Sequence, residues 1–334
     1  MRLDSLHLAA MNGRNGIAQL MLQAGTDPNA KDWEGETALL KFARQVYGSG
    51  PGQSDLIKLF IQKGADLDVR DKDGHSPLFY AIDHNQVAAS RLLISAGADA
   101  TSIVRKVSQQ GDVANVGAFE MAVSSGAHDV ALWLVKDGHA AKMMFTHTAL
   151  KGTKAMSMTP IYSALTQGWE DVGVALVESD SDKVLIDAKN KDGSTPLHIA
   201  AMKGHQKATA ALIAAGAKVN AANQNGETAL FKAADRGHRD VILQLIKGGA
   251  NLEAKDRGDN TALFKAAAKG HAAAASALLE HGANKEAKGF ATGGKSGEQA
   301  KMASMETPSQ CAERHGFKEL AQFIRDFKVV DRDL

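Results

Sequence analysis

A glycine-rich segment towards the C-terminal end of the chain carries the residue types of a phosphate-binding loop. Gly289, Gly294, Lys295 and Ser296 satisfy the pattern of a glycine, four residues, then Gly-Lys-Ser. In that motif backbone N–H groups cradle phosphates, the lysine reaches the outer phosphates and the serine hydroxyl contacts Mg²⁺. The motif needs an apolar strand before the loop, which residues 283–288 (ANKEAK) do not supply. We therefore expect residues 289–301 to form a flexible loop insertion; a nucleotide-dependent regulator that uses this segment is the alternative hypothesis.

Three histidines could suggest a metal site. His205, His238 and His271 follow one another at a constant step, 238 − 205 = 33 and 271 − 238 = 33. One histidine per structural unit would place neighbours ~10 Å apart, the packing distance of helices, whereas zinc needs its ligands ~2 Å from a single centre. The spacing favours hydrogen bonds to neighbouring loops, and we predict no metal site.

Nucleophilic catalysis has one candidate pair. The single cysteine, Cys311, has His315 four residues later, but the sequence around them is expected to end the helix that would join them. A free cysteine at an apolar position behaves as a small buried side chain, so we predict no catalytic residue and no cofactor.

Three lysines share one sequence context. Lys41, Lys232 and Lys265 each follow Thr-Ala-Leu and then Leu or Phe. We expect a solvated row whose aliphatic stems cover apolar neighbours; a cationic stripe is the alternative. Because the formal net charge is only +1, nucleic acid is not an expected partner.

These residues lie within a repeated pattern. The steps between Thr195, Thr228 and Thr261 are 228 − 195 = 33 and 261 − 228 = 33. The same step relates three further columns: Ala200, Ala233 and Ala266; Gly204, Gly237 and Gly270; and Gly216, Gly249 and Gly282. A fixed period in this range is typical of stacked units, each of which buries its apolar side against its neighbours.

One unit predicts a turn, a helix, a turn and a second helix. Thr195 and Pro196 are residues that begin a helix, as cap and first helical position. Gly204 ends that helix, since glycine accepts left-handed backbone angles. A second helix follows, with Ala208, Ala211, Leu212 and Ile213 on its apolar side, and Gly216 ends it.

Residues 192–201 (DGSTPLHIAA), the following Gly204-His205 pair and residues 215–220 (AGAKVN) resemble the ankyrin repeat. The resemblance implies an all-α solenoid of stacked helix-turn-helix units with projecting finger turns. It also implies that partner contacts come from the finger turns and from the exposed side of the first helix of each unit.

Repeats cover nearly the whole chain as one predicted domain, 1–334. The unit boundaries fall near 1–33, 34–72, 73–113, 114–155, 156–191, 192–224, 225–257, 258–303 and 304–334. Units 4 and 5 are irregular, with residues added around 100–116 and 141–158. The second addition carries Met143, Met144, Phe145, Met156 and Met158, which either form an adaptable apolar contact or pack back into the stack.

Composition limits the compartment and the partners. No apolar run reaches the ~20 residues needed to span a bilayer, and a single cysteine excludes an intrachain disulfide. We expect a soluble intracellular protein, cytoplasmic with the nucleus as the alternative, without membrane insertion and monomeric by itself.

The repeat positions that face partners predict a contact surface. The predicted contact residues in finger turns are Trp33, Glu34, Glu36, Lys72, Asp73, His75, Lys191, Asp192, Ser194, Gln224, Asn225, Glu227, Arg257 and Asn260. Those at the ends of first helices are Asp83, His84, Met202, Lys203, Asp235, Arg236 and Lys269. Trp33 is either a hot spot for binding or a ring lying flat on its neighbour. The mixed signs of charge favour a polar partner.

The sequence therefore predicts a non-enzymatic scaffold or adaptor that binds a protein partner through a concave surface of fingers and first helices. Two alternatives stay open: the nucleotide-dependent regulator, and the binding fragment of a larger multidomain protein.

Overall fold

The computed structural model describes residues 5–45, 51–101, 103–106, 113–138, 159–179, 186–290 and 305–328. In this part of the chain eighteen helices follow one another in nine successive pairs. The chain divides into two compact units, Met1–Thr153 and Lys154–Leu334, and each is a stack of helix pairs. The predicted all-α class and the helix-turn-helix units are confirmed, while the single continuous domain and its boundaries stay predictions.

The first unit stacks four helix pairs. Its helices are α1 (Ser5–Met11), α2 (Asn15–Gln23), α3 (Ala38–Arg44), α4 (Pro51–Gln62), α5 (Pro77–Asp83), α6 (Val87–Ser95), α7 (Ala118–Ser125) and α8 (His128–Lys136). The first helices of successive pairs pack against one another, and so do the second helices. Between α6 and α7, strands β1 (Ile103–Lys106) and β2 (Val113–Val116) pair antiparallel, with Ile103 opposite Val116. This short hairpin lies in the finger for which the sequence predicts added residues, and it is an addition to the all-α expectation.

The second unit stacks five helix pairs. Its helices are α9 (Pro160–Gln167), α10 (Glu170–Ser179), α11 (Pro196–Lys203), α12 (Gln206–Ala214), α13 (Ala229–Arg236), α14 (Arg239–Lys247), α15 (Ala262–Ala268), α16 (Ala272–Glu280), α17 (Pro308–Arg314) and α18 (Lys318–Asp326). A two-residue antiparallel pair, β3 (Gly289–Phe290) with β4 (Met305–Glu306), precedes α17.

Small residues at the centre of the first helices let the repeats of the second unit approach closely. Ala200, Ala233 and Ala266 are completely buried. From α11 onward the first helices pack against their neighbours more extensively than the second helices do.

The helix ends follow the predicted signals. Thr261 Oγ1 accepts a hydrogen bond from the N–H of Phe264 (3.3 Å), so it caps α15. Gly204 and Gly237 end α11 and α13 with φ of +76°, a conformation that other residues adopt only with strain.

Among the described helices, none combines the length and apolar character that crossing a bilayer requires.

Candidate functional site

Each of five finger turns is held by an Asp or Asn that lies five residues before the capping Thr or Ser, as in 228 − 223 = 5. Asn223 Oδ1 accepts hydrogen bonds from the backbone N–H groups of Asn225 (2.9 Å) and Glu227 (3.1 Å). The same pair of bonds recurs at the matched residues Asp32, Asp71, Asn190 and Asp256. Sequence reasoning missed this column, although its steps, 223 − 190 = 33 and 256 − 223 = 33, are in the sequence.

In the second unit the finger tips are joined by backbone hydrogen bonds. The N–H of Gln224 donates to the carbonyl of Asp192 (2.8 Å), and the N–H of Arg257 donates to the carbonyl of Asn225 (2.9 Å). Gly193 permits this approach, because its φ is +78° and a Cβ there would lie 3.1 Å from the Gln224 nitrogen. The bonds hold the tip residues of three consecutive repeats in one row.

A second row consists of the cations at the ends of first helices in the same three repeats. Lys203 and Arg236 are the last residues of α11 and α13, and Lys269 caps α15. All three side chains are exposed, and they recur at the step of 33 residues (236 − 203 = 33, 269 − 236 = 33). A cation at this position is favoured by the helix dipole, and Arg236 Nε also lies 3.8 Å from Asp235 Oδ2.

The predicted contact residues divide into three groups by exposure. The exposed ones are Trp33, Glu34, Lys72, Asp83, Lys191, Asp192, Lys203, Gln224, Asn225, Arg236, Arg257 and Lys269. The half-buried ones are Asp73, His75, His84, Met202, Glu227 and Asp235. The remaining three, Glu36, Ser194 and Asn260, are buried.

Burial contradicts a surface role for these last three. Glu36 is 2% exposed and faces two cations of its own repeat. Ser194 Oγ donates to Asp192 Oδ2 (3.0 Å), and Asn260 Nδ2 donates to Asp256 Oδ2 (3.3 Å). The position before the capping Thr points into the finger, so its side chain supports the turn and does not face a partner.

Trp33 lies at the tip of the finger before α3 and is 61% exposed. That exposure is high for a ring lying flat on its neighbour, so Trp33 stays a proposed contact residue. A large exposed aromatic side chain is the type enriched among binding hot spots.

Lys41 is buried, which corrects the expectation of a solvated lysine. Its Nζ lies 2.8 Å from Asp32 Oδ2, 2.8 Å from Glu34 Oε2 and 2.9 Å from Glu36 Oε2. Burial alone would lower the pKa of Lys41, but the three carboxylates raise it above its ordinary value. Burial alone would raise the pKa of Asp32, but Lys41 and two backbone N–H groups hold it below its usual range. The ammonium group lies where these carboxylates would otherwise bind a cation, so we do not assign a metal there.

Arg44 extends this ionic cluster to the next finger. Its guanidinium pairs with Glu36 and lies 3.2 Å from Asp71 Oδ2 and 5.6 Å from the centre of the Tyr80 ring. The Tyr80 hydroxyl donates to Asp71 Oδ2 (2.6 Å). Burial and the Asp71 carboxylate raise the pKa of Tyr80 to about 12. The cluster thus ties the second repeat to the third.

The two lysines matched to Lys41 have different surroundings. Lys232 is half-buried and pairs with the Glu227 carboxylate. Lys265 Nζ lies 5.1 Å from the centre of the Phe231 ring of the preceding repeat, a cation–π contact. Because two of the three are paired with carboxylates, these lysines do not form a cationic stripe.

The repeated histidines bond to neighbouring repeats, at carbonyl oxygens within first helices and not in the predicted loops. The Nε2 atoms of His205, His238 and His271 lie 3.2, 3.1 and 3.1 Å from carbonyl oxygens near the ends of the preceding first helices. His198 Nε2 lies 3.0 Å from the carbonyl oxygen of Glu227 in the following finger. These rings join adjacent repeats.

Cys311 is buried in α17, and burial raises the pKa of its thiol. His315 caps the end of the helix, and its Nδ1 donates to the Cys311 carbonyl (2.8 Å) while lying 3.6 Å from the sulfur. A neutral thiol and a ring nitrogen bonded to the backbone favour the predicted packing role over nucleophilic catalysis.

Two predictions fall largely outside the described residues. Of the phosphate-loop pattern, only Gly289 and Phe290 are described, and they pair with Met305 and Glu306. Residues 283–288, which precede the pattern, contain a turn and no strand. Residues 291–296 and the methionine-rich segment of 143–158 lie outside the described residues, so nucleotide binding and the second contact surface stay predictions.

Successive helix pairs joined by fingers define a helical repeat protein. The family model for ankyrin repeats matches this chain in three copies, over residues 6–104, 119–223 and 208–289. The chain belongs to the ankyrin repeat family.

This chain is similar to a part of each of several curated proteins. An ankyrin repeat-containing protein of Schizosaccharomyces pombe is 36% identical over 75 residues, 22% of this chain and 33% of the relative. The nuclear factor NF-kappa-B p105 subunit of Gallus gallus is 26% identical over 215 residues, 64% of this chain and 16% of the relative. The human transient receptor potential cation channel subfamily A member 1 is 25% identical over 227 residues, 64% of this chain and 17% of the relative. This chain thus spans a third or less of each of these proteins.

Proposed function

We propose that this chain is a non-enzymatic scaffold that binds a protein partner through the finger tips and first-helix ends of its second unit. Ankyrin repeats are generally modules of protein–protein interaction. The observation that carries the proposal is the row of exposed tip residues. Backbone hydrogen bonds hold this row, from the N–H of Gln224 to the carbonyl of Asp192 and from the N–H of Arg257 to the carbonyl of Asn225. A surface fixed before binding loses little conformational entropy when a partner docks.

The charges of this surface indicate an acidic partner segment. Its exposed predicted residues include five cations: Lys191, Lys203, Arg236, Arg257 and Lys269. They include one exposed carboxylate, Asp192. The half-buried Glu227 pairs with Lys232, and the half-buried Asp235 lies 3.8 Å from Arg236, which leaves four of the five cations without a carboxylate among these predicted residues. The second unit therefore favours a partner rich in Asp and Glu, which sharpens the sequence-based expectation of a polar partner.

Charge reversal tests the proposal. Proteins are captured from nuclease-treated extract and quantified by mass spectrometry. Proteins that the wild-type chain captures should be missing from the capture by the triple variant Lys203→Glu, Arg236→Glu, Lys269→Glu. The matched control reverses three exposed cations on second helices: Lys207→Glu, Arg239→Glu and Lys247→Glu. Loss of the same proteins in both variants would mean that binding follows total charge and would overturn the assignment of the surface.

We further propose a cytoplasmic location, because the one cysteine of this chain, Cys311, is free and buried. Such a thiol is compatible with a reducing compartment.

A further inference from the structure

Three cations lie one per repeat along the surface proposed above, and we call them the cation row. Lys203, Arg236 and Lys269 are exposed and stand at the C-terminal ends of α11, α13 and α15. Among the described residues, neither Lys203 nor Lys269 forms an ion pair with a carboxylate. Arg236 Nε lies 3.8 Å from Asp235 Oδ2, which is longer than a hydrogen bond. The row therefore offers one cation per repeat to the carboxylates of a partner.

The packing of the first helices sets the distance between these cations. Packed helices lie about 8–10 Å apart, and the value depends on the side chains at the contact. The completely buried residues at the centre of these three helices are Ala200, Ala233 and Ala266. Because alanine is small, the helix axes can approach closely, and we expect ~9 Å between successive members of the cation row.

The regular conformations of a peptide differ in the distance at which side chains recur on one side. In a polyproline II helix residues three apart share a side, and they lie ~9 Å apart at ~3.1 Å per residue. In a β-strand every second residue shares a side, which gives about 6.7 Å and then about 13 Å. In an α-helix residues seven apart share a side at about 10.5 Å, with a drift of ~20° per seven residues. The polyproline II distance fits the cation row best.

We propose that the acidic partner segment binds the second unit as a polyproline II helix with Asp or Glu at every third residue. Three successive carboxylates then meet Lys203, Arg236 and Lys269. This inference rests on the proposed function, because it specifies the partner of the same surface. A polyproline II backbone has no internal hydrogen bonds, so proline is compatible with the positions between the acidic residues. Proline there lowers the conformational entropy that the segment loses on binding.

Two peptides of identical composition and net charge test the spacing. One is Glu-Pro-Ala repeated three times, and the other is Glu-Glu-Glu-Pro-Ala-Pro-Ala-Pro-Ala. Each peptide carries a fluorescent label and is titrated with the full chain in low-salt buffer, where exposed charges are least screened. Fluorescence anisotropy should show that the spaced peptide binds about fivefold more tightly, because the other peptide cannot form all three exposed ion pairs at once.

A double-mutant cycle tests the pairing with Arg236. Arg236→Gln in the chain and glutamine in place of the middle glutamate of the spaced peptide should each weaken binding about twofold. Together they should weaken it no further, because both remove the same ion pair. Arg239→Gln is the matched control, since Arg239 is exposed on α14 of the same repeat and its Nη1 lies 3.8 Å from Asp240 Oδ1. Its effect should add to that of the peptide change.

Four results would each overturn the proposed conformation. They are equal affinity of the two peptides, no binding by either, additive effects of Arg236→Gln and the peptide change, and tighter binding of a helical peptide whose glutamates lie seven residues apart. The proposed function has a separate test, because the loss of captured proteins in the triple charge-reversal variant does not depend on the conformation of the partner. Failure of the peptides together with loss of capture in that variant would contradict the polyproline II segment alone.

Discussion

One side-chain position of the first helix shows how neighbouring residues decide what a lysine does. Lys41 lies among three carboxylates and is 5% exposed, Lys232 is half-buried beside one carboxylate, and Lys265 lies over a ring. All three follow Thr-Ala-Leu and then Leu or Phe, so the sequence alone predicts one role for them. What differs is the finger before each helix, which brings three carboxylates to Lys41.

We expect Lys41→Met to destabilise the first unit by about 3 kcal/mol, because it leaves the buried carboxylate of Asp32 without its cation. Lys232→Met should cost only about 1 kcal/mol, since Glu227 keeps its hydrogen bond from Asn223 Nδ2 (2.9 Å). Urea unfolding of the two variants and the wild type measures both values. Equal losses would show that the carboxylates around Lys41 contribute nothing beyond a single pair.

The cluster also predicts an acid dependence of stability. The pKa values of Asp32 and Asp71 are held below their usual range in the folded protein. Below about pH 4 the unfolded chain therefore binds protons more readily than the folded one. The two aspartates contribute fully to the free energy of unfolding above that pH, and this contribution is lost as the pH falls through their pKa values in the folded protein.

Asp32→Asn isolates this effect, because Asn190 and Asn223 hold their fingers with the same backbone bonds. The variant should keep the finger, and its free energy of unfolding should fall less steeply between about pH 4 and pH 2 than that of the wild type. The free energy of unfolding measured at several pH values decides this, and an unchanged slope would contradict the role of Asp32.

At the scale of elements, each finger has two structural roles. Its Asp or Asn residue closes the turn, and in the second unit the backbone of its tip forms a hydrogen bond with the next tip.

The helices and their order followed from the sequence, because capping residues and glycines recur at a fixed step. The burial of Glu36, Ser194 and Asn260 did not follow, since a finger residue faces a partner or its own turn depending on the fold. The spacing of Glu36 to Lys41 and of Glu227 to Lys232, five residues in both (41 − 36 = 5, 232 − 227 = 5), was the available signal.

A pair of glycines separates the two functions of the finger. Gly226 and Gly35 both have a left-handed φ, +77° and +78°, so alanine at either costs about 1 kcal/mol in strain. A Cβ on Gly226 would also lie 3.2 Å from the Lys255 carbonyl oxygen of the next finger, whereas Gly35 has open space. We expect Gly226→Ala to be the more destabilising in thermal unfolding and to weaken partner capture. Equal melting temperatures would show that contact between these fingers adds no stability.

At the scale of the whole molecule, the repeated features of the fold could be predicted from the sequence, and the features that depart from the repeat could not. The family, the all-α class and the helix pairs follow from a period that every repeat must keep to bury its neighbours. The ionic cluster and the β1–β2 hairpin are departures from that period, and each depends on contacts that only the folded chain makes. The proposed partner surface combines both, because the framework sets the position of the finger tips while the tip residues vary.

Site-specific photocrosslinking tests the central claim most directly. With p-benzoylphenylalanine in place of Asn225 at a finger tip or of Lys247 on a second helix, both exposed, the chain is irradiated in extract and covalent adducts are identified by mass spectrometry. The proposed surface predicts discrete protein adducts at position 225 that decrease with added salt and are absent at position 247. Adducts at 247 alone, or identical adducts at both positions, would contradict it.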